Sequence, residues 1–177
     1  MSDVDRHVKW PTWPVPVQAR GSTEIEKGDL IFLDQVDGLR NNGISTANYS
    51  AYPFSKIGGA TKTLASNQEL AADNFLGVAL AGSEGIVLAT DSGTTEDIAV
   101  ATSGFFKFPL KSPKTYKVGQ VVMPTGSGTS LYSQKAVMWE SGSTYPLGYS
   151  TRGLMRGTSV TFLLRPKTTG PGRKIST

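Results

Sequence analysis

The stretch from Asp97 to Leu110, DIAVATSGFFKFPL, constrains the fold more than any other part of this chain. Ile98, Val100 and Thr102 alternate with their neighbours, a turn follows at Ser103-Gly104, and a second alternating run opens at Phe105. A period of two puts every second side chain on one face, the pattern of a half-buried strand rather than a helical stripe. Two such runs joined by Ser-Gly predict a hairpin or a bent, bulged strand. Pro109 cannot donate to a ladder, so the second run is expected to end there or to follow an edge.

Runs of the same kind recur along the chain. EIEKGDLIFLD (24–34) has a turn at Lys27-Gly28 and then a strand rich in β formers, and TYKVGQVVM (115–123) repeats that shape. We read the repetition as the ordinary way a barrel starts a strand rather than as a duplication. FLGVALA (75–81) and GIVLAT (85–90) are continuous apolar runs expected to be buried strands, and 125–129 is a Gly/Ser loop. LYSQKAVMW (131–139), 146–152 and TSVTFLLR (158–165) complete the set. One short helix is expected at Asn67–Asn74, capped by Asn67 or by Ser66 with Glu69. The fold class expected is all-β: a Greek-key-like sandwich or barrel of eight to nine short strands, one short helix, and extended N- and C-terminal arms. The divisions expected are an extended Pro/Trp arm (1–23), a single β domain (24–166) and a basic flexible tail (167–177).

Twenty Gly and ten Pro in 177 residues, with 18% charged residues, fit a turn-rich β protein with low-charge surface to bury against a partner. The chain has no cysteine, which excludes disulfides and thiolate metal sites. No apolar run approaches the roughly 20 residues of a membrane span, so no membrane partner is expected. The N-terminus lacks a basic segment followed by an apolar core, so no signal peptide is expected and synthesis is assigned to the cytosol. Charge is unevenly written. Residues 1–106 hold seven Lys/Arg against thirteen Asp/Glu, a net of −6, and residues 107–177 hold eleven against one, a net of +10. Either the two sets occupy different surfaces and favour oriented docking, or interleaved strands mix them.

Before the first strand, HVKWPTWPVPVQARG carries Pro11, Pro14 and Pro16, which forbid helix and favour extended backbone. Trp10 and Trp13 are large apolar anchors of the kind that dominate interfaces. The segment reads as an arm lying on another surface, its own or a neighbour's. Residues 36–63 form a polar, Gly/Asn/Ser-rich loop long enough to be functional or packed under a partner.

Catalytic patterns are weak. His7, the only histidine, lies in the arm, a poor place for a positioned base. Asp34 and Asp37 do not have the spacing of a calcium loop, and Gly126-Ser127-Gly128-Thr129 lacks the Gly-Lys-Ser/Thr ending of a phosphate loop. Asp91-Ser92-Gly93 resembles the signature of aspartic proteases, in which two carboxylates at a dimer axis share a proton, with Pro146-Leu147-Gly148 as a downstream partner segment. Asp-Ser-Gly-Thr-Thr is also an ordinary turn. Lys107, Lys111, Lys114 and Lys117 around Pro109 and Pro113, with Phe108 and Tyr116, could follow a nucleic-acid backbone. A basic loop facing an acidic protein accounts for them better, and nucleic acid is not an expected partner. No catalytic residue, cofactor or metal is assigned, and the chain is not expected to be an enzyme.

The order KGDLIFLD, FLGVAL, DIAVATSGFFKFPL, YKVGQVVM, PLGYSTRG and VTFLLRP resembles the small head-decoration (cement) proteins of tailed bacteriophages, over roughly 24–166. The resemblance implies a β domain that forms trimers on the outer face of a capsid lattice and reaches neighbours with a terminal arm. It therefore implies a virion location on the capsid exterior, and the major capsid protein and two sister copies as partners. Contacts are expected from the arm residues Trp10, Pro11, Trp13, Pro14, Pro16 and Arg20, and from the basic residues Lys111, Lys114, Lys117, Arg173 and Lys174. A phage receptor-binding or head-fibre module is the alternative, and a homodimeric protease using Asp91 the more remote one.

Overall fold

A computed structural model describes residues 14–20, 23–35, 49–57, 63–83, 95–138 and 145–164 of the chain. It is all-β with one short helix, as expected, but the strands are divided between two five-stranded closed barrels. Barrel 1 is built from β1 (Pro14–Arg20), β2 (Leu30–Gln35), β3 (Tyr49–Pro53), β4 (Phe75–Ala79) and β5 (Thr95–Ala101). Barrel 2 is built from β6 (Gly104–Tyr116), β7 (Val121–Ser127), β8 (Ser130–Met138), β9 (Gly148–Ser150) and β10 (Leu154–Leu164). The opening hairpin motif of the sequence is thus the joint between them: β5 closes one barrel, Thr102-Ser103 turns, and β6 opens the other.

The two barrels have the same topology. In each, the first strand pairs parallel with the third and antiparallel with the fifth, while the second is antiparallel to the third and fourth. The registers also coincide. Leu30 faces Val78 as Val121 faces Tyr149, Val17 faces Ile98 as Phe108 faces Val160, and Ala19 meets Ala51 as Leu110 meets Ala136. Even the isolated bridge Ile25–Ser83 has its counterpart in the pair Tyr116–Leu154.

The repetition extends to hydrogen bonds. Gly28 and Gly119 both take positive φ, at 89° and 80°, in the turn before the second strand, a conformation open to glycine. The Gly28 amide donates to the Ala79 carbonyl at 2.7 Å, and the Gly119 amide to the Ser150 carbonyl at 2.8 Å. In the first turn the Asp29 carboxylate accepts from the Glu26 amide at 2.9 Å; in the second the Gln120 side-chain oxygen accepts from the Lys117 amide at 3.2 Å. KGDLI and VGQVV are therefore equivalent parts of a structural repeat, which corrects their reading as two unrelated strand starts.

The Pro-rich stretch is not all arm. Pro14 to Arg20 form β1, which closes barrel 1 between β3 and β5. Its contact with β3 is a single register pair, Ala19–Ala51, so among the described residues most of its other edge carries no ladder pair. Pro14 and Pro16, two residues apart, direct their donor-less nitrogens to the same edge, which is how a strand accommodates them. The same device lets β6 continue through Pro109 and Pro113 to Tyr116; of the end or edge expected at Pro109, it is the edge that is found.

Helix α1 (Leu64–Asp73) starts three residues before the expected Asn67. Thr63 is its cap: the Thr63 hydroxyl accepts from the Ser66 amide, and the Ser66 hydroxyl from the Thr63 amide, at 3.2 and 3.0 Å. A 3-10 turn (Phe54–Lys56) precedes it. Phe54 is wholly buried between Phe32 and Phe75, with ring centroids 6.4 and 5.6 Å away.

Inward-facing residues of barrel 1, Ala19, Ile31, Ala51, Ile98 and Val100 among them, form one small core. A larger core joins the interior of barrel 2, including Phe106, Phe108, Val122, Met138, Val160 and Phe162, to the outer face of barrel 1 at Leu30, Phe32, Phe54, Phe75, Val78 and Ala101. Burial of this shared face holds the barrels together, each large side chain contributing about 1.5–3 kcal/mol.

Candidate interaction surface

β6 and β10 run on together past the rest of barrel 2 into a tip. Their register shifts twice there, between the pairs Leu154–Tyr116, Gly157–Lys114 and Ser159–Pro109. Such bulges twist a ribbon away from its sheet. Arg156 has a φ of 53°, left-handed backbone that costs a non-glycine residue about 1–2 kcal/mol. Tyr116 braces the ribbon. Its ring is 3% exposed, and its hydroxyl donates to the Ser159 carbonyl at 2.6 Å. Burial raises the Tyr116 phenol above its ordinary pKa, against the opposing pull of the Arg152 charge.

Beyond this brace the tip turns apolar side chains to solvent. Met155 is 87% exposed, Val118 69% and Leu154 47%. The backbone of Gly153 lies against Lys117 and Val118, so the β6–β7 turn and the start of β10 form one surface. Thr115 to Gln120 line a shallow hollow beside it. Lys114, Lys117, Arg152 and Arg156 lie on the same segments. An apolar centre rimmed by cations suits an acidic protein surface with an apolar groove.

The charge of the chain is divided between the barrels. Among the described residues, barrel 2 and its turns (104–138 and 145–164) carry seven Lys/Arg and no Asp/Glu, whereas the residues before Gly104 carry three Lys/Arg and eight Asp/Glu. The acidic and basic sets do not interleave.

Where the barrels meet, polar contacts cross. The Gln134 amide donates to Glu26 and to Asp29, each at 2.8 Å, and the Ser55 amide donates to the Ser133 hydroxyl at 2.9 Å. From α1, Asn67 donates to the Thr129 carbonyl at 2.6 Å and Gln68 to the Pro124 carbonyl at 2.7 Å. An open cleft of about 400 Å³ follows this seam, between Glu24, Glu26 and Asp29 on one side and Tyr132 and Lys135 on the other. Among the described residues, no three His, Asp or Glu side chains converge where a metal could sit.

Of the contact residues expected from sequence, Lys114 and Lys117 belong to the tip. Lys111 does not: exposed on β6, it donates its ammonium to the Gly126 carbonyl of β7 at 2.6 Å. Pro14 and Pro16 are exposed positions of β1, and Arg20 closes that strand. Trp10, Pro11, Trp13, Arg173 and Lys174 lie outside the described residues, as do His7, Asp91, the run at 85–90, most of the 36–63 loop and the tail from 167. Sequence reading missed Val118, Leu154 and Met155. Its signal was there in Arg152-Gly153-Leu154-Met155-Arg156-Gly157, two large apolar residues fenced by glycines and arginines.

No protein-family model matches the chain, and a search of curated proteins finds no similar sequence.

Proposed function

We propose that this chain is a structural virion protein that binds the outer surface of a phage capsid and stabilises the head lattice, acting as a trimer. The observation that carries this reading is the tip of β6 and β10, where Val118, Leu154 and Met155 stand exposed among Lys114, Lys117, Arg152 and Arg156. The order of sequence motifs, similar to that of cement proteins, supplies the class of partner. Adhesion to a shell calls for apolar anchors and complementary charge, and occupancy of many equivalent sites lets modest contacts stabilise the whole. The tip meets acidic capsid surface, and Trp10 and Trp13 anchor on a neighbouring capsid or sister subunit.

The test is co-sedimentation of the purified protein with undecorated capsids. The parent protein is expected to pellet with the shells. Met155→Asp and Lys117→Glu, both at exposed positions, are expected to lower occupancy at least tenfold with far-UV circular dichroism unchanged. A parent protein that stays in the supernatant overturns the reading, and full occupancy by both variants overturns the role of the tip.

A further inference from the structure

Strand register makes a row of side chains across the outer face of barrel 2. Tyr149 on β9 lies between Val121 on β7 and Leu163 on β10, and Leu163 pairs in turn with Phe105 on β6. Their inward neighbours Val122, Gly148, Phe162 and Phe106 are buried, which fixes the row as outward-facing. In barrel 1 the equivalents of Val121, Tyr149 and Leu163 are Leu30, Val78 and Ala101, exposed by 0, 1 and 0%, while that of Phe105 is Pro14, which is exposed. Leu30, Val78 and Ala101 belong to the core shared with barrel 2. The corresponding residues of barrel 2 are half-buried, and Tyr149 is 38% exposed.

We infer that this outer face of barrel 2 is where a second copy of the chain docks, through its acidic barrel 1. Two observations choose that occupant. The same face on the preceding repeat is already buried in a barrel-to-barrel junction, so the chain itself contains one example of such a junction. The face also belongs to a barrel with seven cations and no described acid, while the described part of barrel 1 and its turns, α1 set aside, carries six Asp/Glu against three Lys/Arg; Glu24, Glu26 and Asp29 of that set lie at the seam and Asp97 stands exposed on β5. Lys107, exposed beside the row on β6, and Asp97, exposed on β5, mark the opposed charges. The contact is heterologous, basic barrel to acidic barrel, so it leaves one face of each sign at the ends of a pair and propagates until a ring closes. This deepens the trimer part of the function proposed above by naming its surfaces, and it concerns the protein in the absence of any capsid.

Sedimentation equilibrium of the purified full chain tests it. The parent protein is expected to self-associate, more weakly at about 1 M salt, where charges are screened beyond about 3 Å. Tyr149→Glu is expected to weaken association on the order of 30-fold, the loss typical of a buried aromatic anchor. Asp97→Lys, on the exposed side of β5, weakens it from the other side. A mixture of the Tyr149 variant and the Asp97 variant restores pairs, because each keeps the face that the other has lost. A parent protein that remains a monomer overturns the inference. So does association indifferent to Tyr149→Glu or to salt, or an aspartate variant that self-associates fully. Capsid binding is not measured, so failure here leaves the capsid reading standing, and failure there leaves this one.

Discussion

Gly77 presses its Cα against the carbonyl of Ala101 so closely that a Cβ built there would stand 2.0 Å from the oxygen. Gly148 has the same relation to Leu163, at 2.1 Å. The two glycines are equivalent in the repeat, each at the point where the fourth strand meets the fifth. Neither contact can yield without moving backbone. Gly77→Ala and Gly148→Ala are each expected to cost about 2 kcal/mol or more, through overpacking. Gly128→Ala, with a φ of 59° and open space around it, should cost only about 1–2 kcal/mol of backbone strain. Urea unfolding of the three variants checks the ranking.

Deletion of residues 1–12 leaves β1 itself intact, because the strand begins at Pro14. Deletion through Gly21 removes the strand between β3 and β5 and uncovers Ala51, Ile98 and Val100. Hydrogen exchange should then show barrel 1 amides losing protection while those of barrel 2 keep theirs for longer. An arm docked on a neighbour would have allowed either deletion.

Tyr116 makes the tip sensitive to alkali. Its pKa is raised in the folded chain, so its contribution to stability is complete below the ordinary value near 10 and is lost as pH rises through the folded value. Tyr116→Phe also loses the hydrogen bond to Ser159, worth about 1 kcal/mol near pH 8. The stability gap between parent and variant should narrow above pH 10, as measured by denaturant titration at a series of pH values.

Asn67 is fully buried at the barrel junction, with its amide nitrogen on Thr129 and its side-chain oxygen accepting no hydrogen bond. Asn67→Asp would set a carboxylate against the Thr129 carbonyl in that buried site. It is expected to cost about 3–5 kcal/mol at neutral pH, as for an uncompensated buried charge. Burial raises the pKa of such a carboxyl, so at about pH 4 the protonated acid can donate to Thr129 and part of the loss should be recovered. Thermal unfolding at the two pH values tests both the size and the sign.

Much of this architecture was legible in the chain. Alternation along 97–110 located two strands and the turn between them, but they do not pair as the expected hairpin: each belongs to its own barrel. Of the two readings left open for the uneven charge, separation by barrel is the one the described residues follow. The repeat was half legible: KGDLI and VGQVV were visible, as were FLGVA and PLGYS, each pair sharing its key glycine. What hid it was the unequal spacing between strands, since equivalent positions lie 91 residues apart in β2 and β7 but 71 apart in β4 and β9. Pro14 and Pro16 misled, read as part of an arm, because a strand with one sparsely paired edge tolerates what a central strand does not. The helix start was missed since Thr63 caps through Ser66 rather than through an acid. The row Phe105, Leu163, Tyr149 and Val121 was not legible at all, for it exists only through register between strands far apart in sequence.

Only Thr102 and Ser103 separate β5 from β6, and the shared core and Gln134 tie the barrels across the seam. The packed seam and the two-residue link hold the barrels at one separation, with the described acids before Gly104 and the described cations of barrel 2 kept apart. Where such a pair bridges two subunits, it admits one spacing between them and resists both swelling and compression.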